Sequence, residues 1–318
     1  MFAQTRRRAV SLAVVLAIGS VVAFAVPRLA PGDVAVTLAG PNATPENIEA
    51  IRERLGLDRP EIVQFFDWIG GLFRGDLGTS YVYSRSVASL IGDRLDSTLQ
   101  LALLAALFVA ILATVLGVLM GSSRQPRLRA VLDVVSSLLI AVPSFLVGLL
   151  FILAFGVLNR WLPISGQVSV TEDVGEGLRY LLLPALALSL SAVGVISRLI
   201  GTDMRTMREE EFVYLATSKG ASRWRITLRH VLPNSLNAAI VAFGLTIGDL
   251  LAGAIVIEAL FNRQGLGQLA VLSVQSRDFA VLQVLILGAV VVAAVFQILT
   301  EVAIASLDPR IRAGVSAR

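Results

Sequence analysis

The chain has 318 residues, 56% of them hydrophobic, with a mean hydropathy of +0.79 and a formal net charge of +4. That composition excludes an ordinary soluble domain and points to a polytopic membrane protein. With no cysteine and a single histidine, His230, the chain cannot build disulfides, thiolate metal sites, a Cys nucleophile or a multi-His metal centre, and no aromatic-plus-basic stretch argues for nucleic-acid binding.

Runs free of charge and long enough to cross about 30 Å of hydrocarbon recur along the sequence. The first covers Ala9 to Pro27 and reads as a retained span, since no small-x-small cleavage signal follows it. The next are Ser97 to Ser123, Val134 to Asn159 and Tyr180 to Ser197. Leu236 to Ile257, interrupted by Asp249, and Phe279 to Thr300 complete the set, so the expected fold is all-α with six transmembrane helices. Pro143 and Pro184 are expected to kink the third and fourth.

Between the first two spans, residues 28–96 form a long segment with its own structure. Thr44 and Pro45 signal a capped helix that runs to about Leu55. From Glu61 to Phe73, Ile62, Phe65, Phe66, Ile69 and Leu72 recur at helical spacing, and Gly75-Asp76-Leu77-Gly78 then breaks the chain. The expected organisation is residues 1–27 as N-terminus and first span, 28–96 as a helical cap, and 97–318 as the core.

Arginine sets the orientation, because short loops rich in Arg and Lys stay on the cytoplasmic side. Arg6, Arg7 and Arg8 precede the first span, and Arg124, Arg127 and Arg129 separate the second and third. A dense basic set from Arg198 to Arg229 separates the fourth and fifth, and Arg310 and Arg312 follow the sixth. Both termini and the loop 202–235 are thus expected in the cytoplasm, with 28–96 outside.

Enzymatic motifs are missing. There is no G-x-x-x-x-G-K-[ST] phosphate loop, no H-E-x-x-H and no G-x-S-x-G. Asp249 is the only acid deep in a span, so an intramembrane aspartyl dyad lacks its second member. A self-contained secondary transporter would call for inverted repeats and paired polar sites in broken helices, and none is evident.

The informative polar stretch is Glu209 to Asn237. Three acids open it and Lys219, the only lysine, closes its first helix, as the helix dipole favours. Gly220 is a natural helix stop and Ser222 can cap a second helix from Arg223 to Leu232. Phe212, Leu215 and Ala216 are expected on one face of the first helix. The small residues at the bend, Gly220-Ala221-Ser222, allow close approach of another protein; an amphipathic elbow lying on the membrane is the alternative.

The run Phe212 to Gly220 followed by Leu232-Pro233 resembles the cytoplasmic signature loop of ABC importer permeases, of general form E-A-A-x3-G-x9-I-x-L-P. Ala216, Gly220, Leu232 and Pro233 match in register. Tyr214, Leu215 and His230 depart from it, in the manner of the dipeptide/oligopeptide/nickel branch, whose version resembles [DE]-[FY]-V-x-x-A-x-x-K-G and would include Glu211, Phe212 and Lys219. Leu29-Ala30-Pro31-Gly32-Asp33, Leu55 to Pro60, Gly75 to Gly78, Glu258 to Phe261 with Gly265-Leu266-Gly267, and Leu307-Asp308-Pro309-Arg310 are similar to that branch as well, and to the first permease of its pair.

The resemblance implies a transport subunit with no catalytic residue, metal or cofactor of its own. Its implied partners are a second permease, two ABC ATPase subunits that bind ATP and Mg, an extracytoplasmic solute-binding protein, membrane lipid and a peptide substrate, with nickel or another small solute as the alternative cargo. Residues Glu211, Phe212, Ala216, Lys219, Gly220, Ala221, Ser222, Leu232 and Pro233 would form the ATPase-coupling loop of a multi-pass bacterial plasma-membrane protein.

Two carboxylates remain. Asp249, mid-span, carries an insertion cost of roughly 2.5–3.5 kcal/mol and must face water or protein, either on the pathway or at a helix interface. Glu258, near the external mouth, is a candidate gate or subunit-interface residue, with simple solvation at the membrane interface as the alternative. Arg198 reads as a snorkelling anchor.

Overall fold

A computed structural model describes residues 2–29, 34–40 and 43–307. The motif residues 30–33 and 308–310, together with Arg312, lie outside the described residues, as do the side chains of Arg6, Arg7 and Arg8. Among the described residues the regular structure is helical apart from one short ribbon. The elements are α1 (Phe2–Leu29), α2 (Val34–Ala39), α3 (Pro45–Arg54), α4 (Glu61–Phe73), β1 (Thr79–Ser80), β2 (Arg85–Ser86), α5 (Val87–Ser122), α6 (Pro126–Ala141) and α7 (Ser144–Phe151). They continue as α8 (Val174–Arg208), α9 (Glu211–Ser218), α10 (Arg223–Ile226), α11 (Leu232–Ser235), α12 (Asn237–Leu260), α13 (Leu266–Ser276) and α14 (Phe279–Leu307).

Among the described residues five helices are long and apolar enough to cross a membrane: α1, α5, α8, α12 and α14. The expected third span is not one helix. Pro126–Ala141 and Ser144–Leu158 meet at 99°, and they supply a sixth crossing only if the bent pair counts as one broken span. The cause is Pro143, which disfavours the helical region for the residue before it and lacks an N–H. Val142 is accordingly extended, at φ −86° and ψ 121°. Pro184, by contrast, lies within a continuous α8.

The chain divides into two compact units, residues 1–96 with 264–294, and 97–263 with 295–318. In the first, α1 meets α4 through aromatic rings: Phe24 and Phe65 pack edge-on at 5.3 Å, and the Arg28 guanidinium lies 3.5 Å from the Phe24 ring centroid. Arg28 also donates to Gln64 Oε1 at 2.9 Å. Helix α3 starts as its cap signal predicts, with Thr44 accepting from the Asn47 N–H at 3.3 Å. The antiparallel ribbon pairs Thr79 with Ser86 and Ser80 with Arg85, a detail not read from the sequence. It is pinned by a buried hydrogen bond from Ser80 Oγ to Asp278 Oδ2.

In the second unit α8 is the central element, with α6, α7, α11 and α12 packed on it. Helix α5 adds Leu101, Ala105, Val109 and Ala113, a buried stripe at four-residue spacing. Close approach of α5 and α8 depends on Gly117 and Gly121: a Cβ on Gly117 would stand 2.6 Å from Ile200 Cβ, and one on Gly121 2.6 Å from Met204 Cβ. The opposite stripe of α5, Leu103, Leu107, Ile111, Val115 and Leu119, is exposed.

Candidate functional site

The elbow between α8 and α12 is built by local chemistry. Helix α9 ends in a paired cap: the Gly220 N–H bonds the Thr217 carbonyl at 2.9 Å and the Ala221 N–H bonds the Ala216 carbonyl at 3.1 Å. This geometry requires a left-handed residue between them, and Gly220 supplies it at φ +76°. Ser222 then caps α10 by accepting from the Arg225 N–H at 3.4 Å. The helix widens to π geometry over Thr227–Val231 before Pro233, whose ring cannot fit against a regular preceding turn. The expected second helix, Arg223 to Leu232, is thus α10, a π turn and the start of α11.

The elbow has two faces. Val213, Ala216, Ala221 and Leu232 pack against the core, and Ile226, Thr227 and Val231 are buried. Tyr214, Leu215 and Trp224 are 77%, 58% and 65% exposed, beside exposed Glu211, Lys219, Gly220, Ser222 and Pro233. Of the expected face Phe212, Leu215 and Ala216, Ala216 packs inward beside Val213, Phe212 is half-buried and Leu215 points out. Ala221, at the bend, faces inward as well. An exposed tip of one tyrosine, one leucine and one tryptophan on a rigid polar elbow is a surface suited to protein docking.

Arg208, which the sequence reading passed over, ties the elbow to the core. Its Nε donates to the Gly121 carbonyl at 3.1 Å, and its Nη2 donates to Ser122 Oγ at 3.0 Å and to Thr227 Oγ1 at 2.7 Å. The sequence signal was an arginine at the end of a long helix, which on its own suits the helix dipole equally well.

The two carboxylates are not brought together. Both lie on α12, nine residues apart, about half a turn out of phase on a helix. Asp249 is exposed and makes no hydrogen bond or ion pair among the described residues. Glu258 has no exposure and accepts from Thr98 Oγ1 at 2.6 Å. Beside Thr98, Ser97 Oγ donates to the exposed Gln167 at 2.6 Å and accepts from the buried Arg263 Nη2 at 3.1 Å, and Gln100 bonds Ser169 and the Val170 N–H in partly buried contacts. Arg198 reaches Ser137 Oγ at 2.7 Å.

Residues 113–313 match the family model described as the inner membrane component of binding-protein-dependent transport systems, and residues 1–102 match the model for its N-terminal part. A peptide transport system permease protein of Brucella abortus strain 2308 is 34% identical over 300 residues, which is 94% of this chain and 95% of that protein. The chain belongs to this family. The dipeptide transport system permease protein DppB of Lactococcus lactis subsp. cremoris MG1363 is 32% identical over 294 residues, 91% of this chain and 92% of its own. Among solved structures, the inward-facing MetNI methionine ABC transporter superposes with a TM-score of 0.58 at 15% identity, covering 70% of this chain and 97% of that one, and so shares the fold. The family and the apolar helices make the protein a multi-pass inner-membrane permease component that works with other subunits of an importer.

Proposed function

We propose that the chain is the translocation subunit of an ATP-driven importer of peptides. It lines the pathway with a second permease, and the elbow around Gly220 docks on one of two ATPase subunits, which bind ATP and Mg. A solute-binding protein delivers cargo to the outer side. The observation that carries the reading is the elbow: an apolar tip held out by a left-handed glycine and clamped to the core by Arg208 can transmit motion without bending. The relatives named for peptide transport supply the cargo class.

In this reading residues 28–96 lie outside and 202–235 in the cytoplasm, with both termini cytoplasmic. Asp249, open on α12, faces the pathway and meets the ammonium of a peptide. Glu258 and Thr98 form a latch at its outer end.

Uptake tests this directly. Vesicles containing the chain with its partner subunits should accumulate labelled peptide only with ATP and binding protein. ATP-dependent nickel uptake without peptide uptake would reassign the cargo, and uptake by the chain alone would reject the subunit role. A cysteine placed at Ser84 should react with an impermeant reagent in intact cells, and one at Ser222 should not; the reverse pattern would invert the orientation.

A further inference from the structure

Two hollows adjoin beneath the elbow, sharing Ser122 and Ser123 in their walls. The first, about 670 Å³, is lined by Arg124, Arg129, Arg205, Arg208 and Arg223 against only Asp133 and Glu209. One ion pair is present, Arg205 to Asp133 at 3.5 Å. Arg208 is half-buried and bonds only neutral oxygens. Arg205 Nε is shielded from solvent with no hydrogen-bond partner. Five guanidinium groups gathered around only two carboxylates are costly unless a further anion accepts from them, and a phosphate suits their planar fork.

The second hollow, about 440 Å³, has apolar walls that include Val115, Val118, Leu119, Leu128, Trp224 and Leu228. It continues the exposed stripe Leu103, Leu107, Ile111, Val115 and Leu119 along α5, a helix long and apolar enough to span the bilayer. A cationic hollow beside an apolar one open to the membrane-facing stripe matches an amphiphile with a phosphate at one end and hydrocarbon at the other.

We propose that an anionic glycerophospholipid from the leaflet on the elbow side occupies both hollows, its phosphate among the arginines and an acyl chain along Val115 and Leu119. A zwitterionic lipid fits less well, since its ammonium would face the same cations. Val213, Thr217 and Ala221 line the cationic hollow, so the lipid braces the inner face of the elbow. The inference uses the membrane-spanning character of the chain and stands whether or not the elbow docks an ATPase.

The test is lipid retention by the full complex in detergent, titrated with phosphatidylglycerol or phosphatidylcholine and read by native mass spectrometry. Arg124 and Arg129 are exposed, so Gln replacements should fold; Arg127, exposed in the first turn of α6 but outside the hollow, is the control. Arg124→Gln and Arg129→Gln should each weaken phosphatidylglycerol binding roughly fivefold, Arg127→Gln by less than about twofold, and none should change phosphatidylcholine. Leu119→Gln should weaken phosphatidylglycerol as well, and millimolar inorganic phosphate should not displace it. Equal losses in all three arginine variants, or equal retention of both lipids, would overturn the proposal. Displacement by phosphate with no effect of Leu119→Gln would make the site one for a free anion. Loss of a partner subunit in Arg124→Gln would make it a protein interface.

Discussion

Helices α8 and α12 are both long and apolar enough to span a bilayer, yet 61% of the apolar stretch of α8 is buried within the chain and only 17% of that of α12. Helix α8 has spent its surface on intramolecular packing: α6, α7 and α12 cover it, and Gly117 and Gly121 of α5 let its Ile200 and Met204 come close. Helix α12 keeps glycines too, but a Cβ at Gly248 would meet nothing within 4 Å. The face of α12 at Gly248 is thus open, whereas Gly253 on the same helix already meets α8, where a Cβ would stand 2.9 Å from Leu188 Cδ1. An open apolar helix carrying an exposed Asp249 is suited to a partner chain or a water-filled path, not to lipid.

The largest effect that can break this contrast comes from one substitution made in two places. Gly121→Val inserts side-chain atoms where the Met204 Cβ already blocks the space, so overpacking should cost about 1–3 kcal/mol and lower both yield and melting temperature of the isolated chain in detergent. Gly248→Val should leave that melting temperature unchanged and reduce recovery of the second permease. Equal destabilisation by both would show that α12 is as packed as α8.

Asp249→Asn sharpens the open side of the comparison. It should preserve assembly, because the amide is isosteric, and lower uptake of peptides with a free amino group more than that of N-acetylated ones. Equal losses for both cargoes, or loss of assembly, would place Asp249 at an interface instead.

The smallest expected effect lies outside both helices, at the ribbon β1–β2. Burial pushes the Asp278 carboxyl above its ordinary range, against the opposing pull of the Ser80 hydroxyl and the Val281 N–H. A carboxyl raised in the folded state stabilises it fully below the unfolded pKa, and that contribution is lost as pH rises through the folded value. Amide exchange in residues 79–86 should therefore quicken as pH climbs out of the carboxylate range, after correction for intrinsic rates, and Asp278→Asn should abolish this dependence.

What could be read from the sequence follows from how local each cause is. The elbow was legible because its cap, its glycine and its proline act within a few residues: the helix stop at Gly220 and the cap at Ser222 stand where they were expected. Helices α3 and α4 were legible for the same reason, whereas α2 was not read and α5 begins at Val87, ten residues before the expected span. The outward turn of Leu215 was not, since the face of an eight-residue helix depends on which side the core presents. The 99° break at Pro143 was expected only as a kink, because proline weakens a helix but tertiary packing sets the angle. The Thr98 to Glu258 bond joins residues 160 positions apart, and nothing in the chain near either one announces the other.

The central claim is that the elbow tip docks an ATPase, and Tyr214 and Leu215 test it most directly because they touch nothing in the core. Ala221 is a poorer probe, since it faces inward. The measurement is recovery of ATPase subunits with the detergent-solubilised permease carrying Tyr214→Ser with Leu215→Asp. The account predicts that the variant inserts and melts like the parent, keeps the second permease, and loses at least about tenfold in ATPase recovery, as removal of a central apolar anchor of more than about 1.4 kcal/mol requires. Undiminished ATPase recovery with parental melting would contradict it.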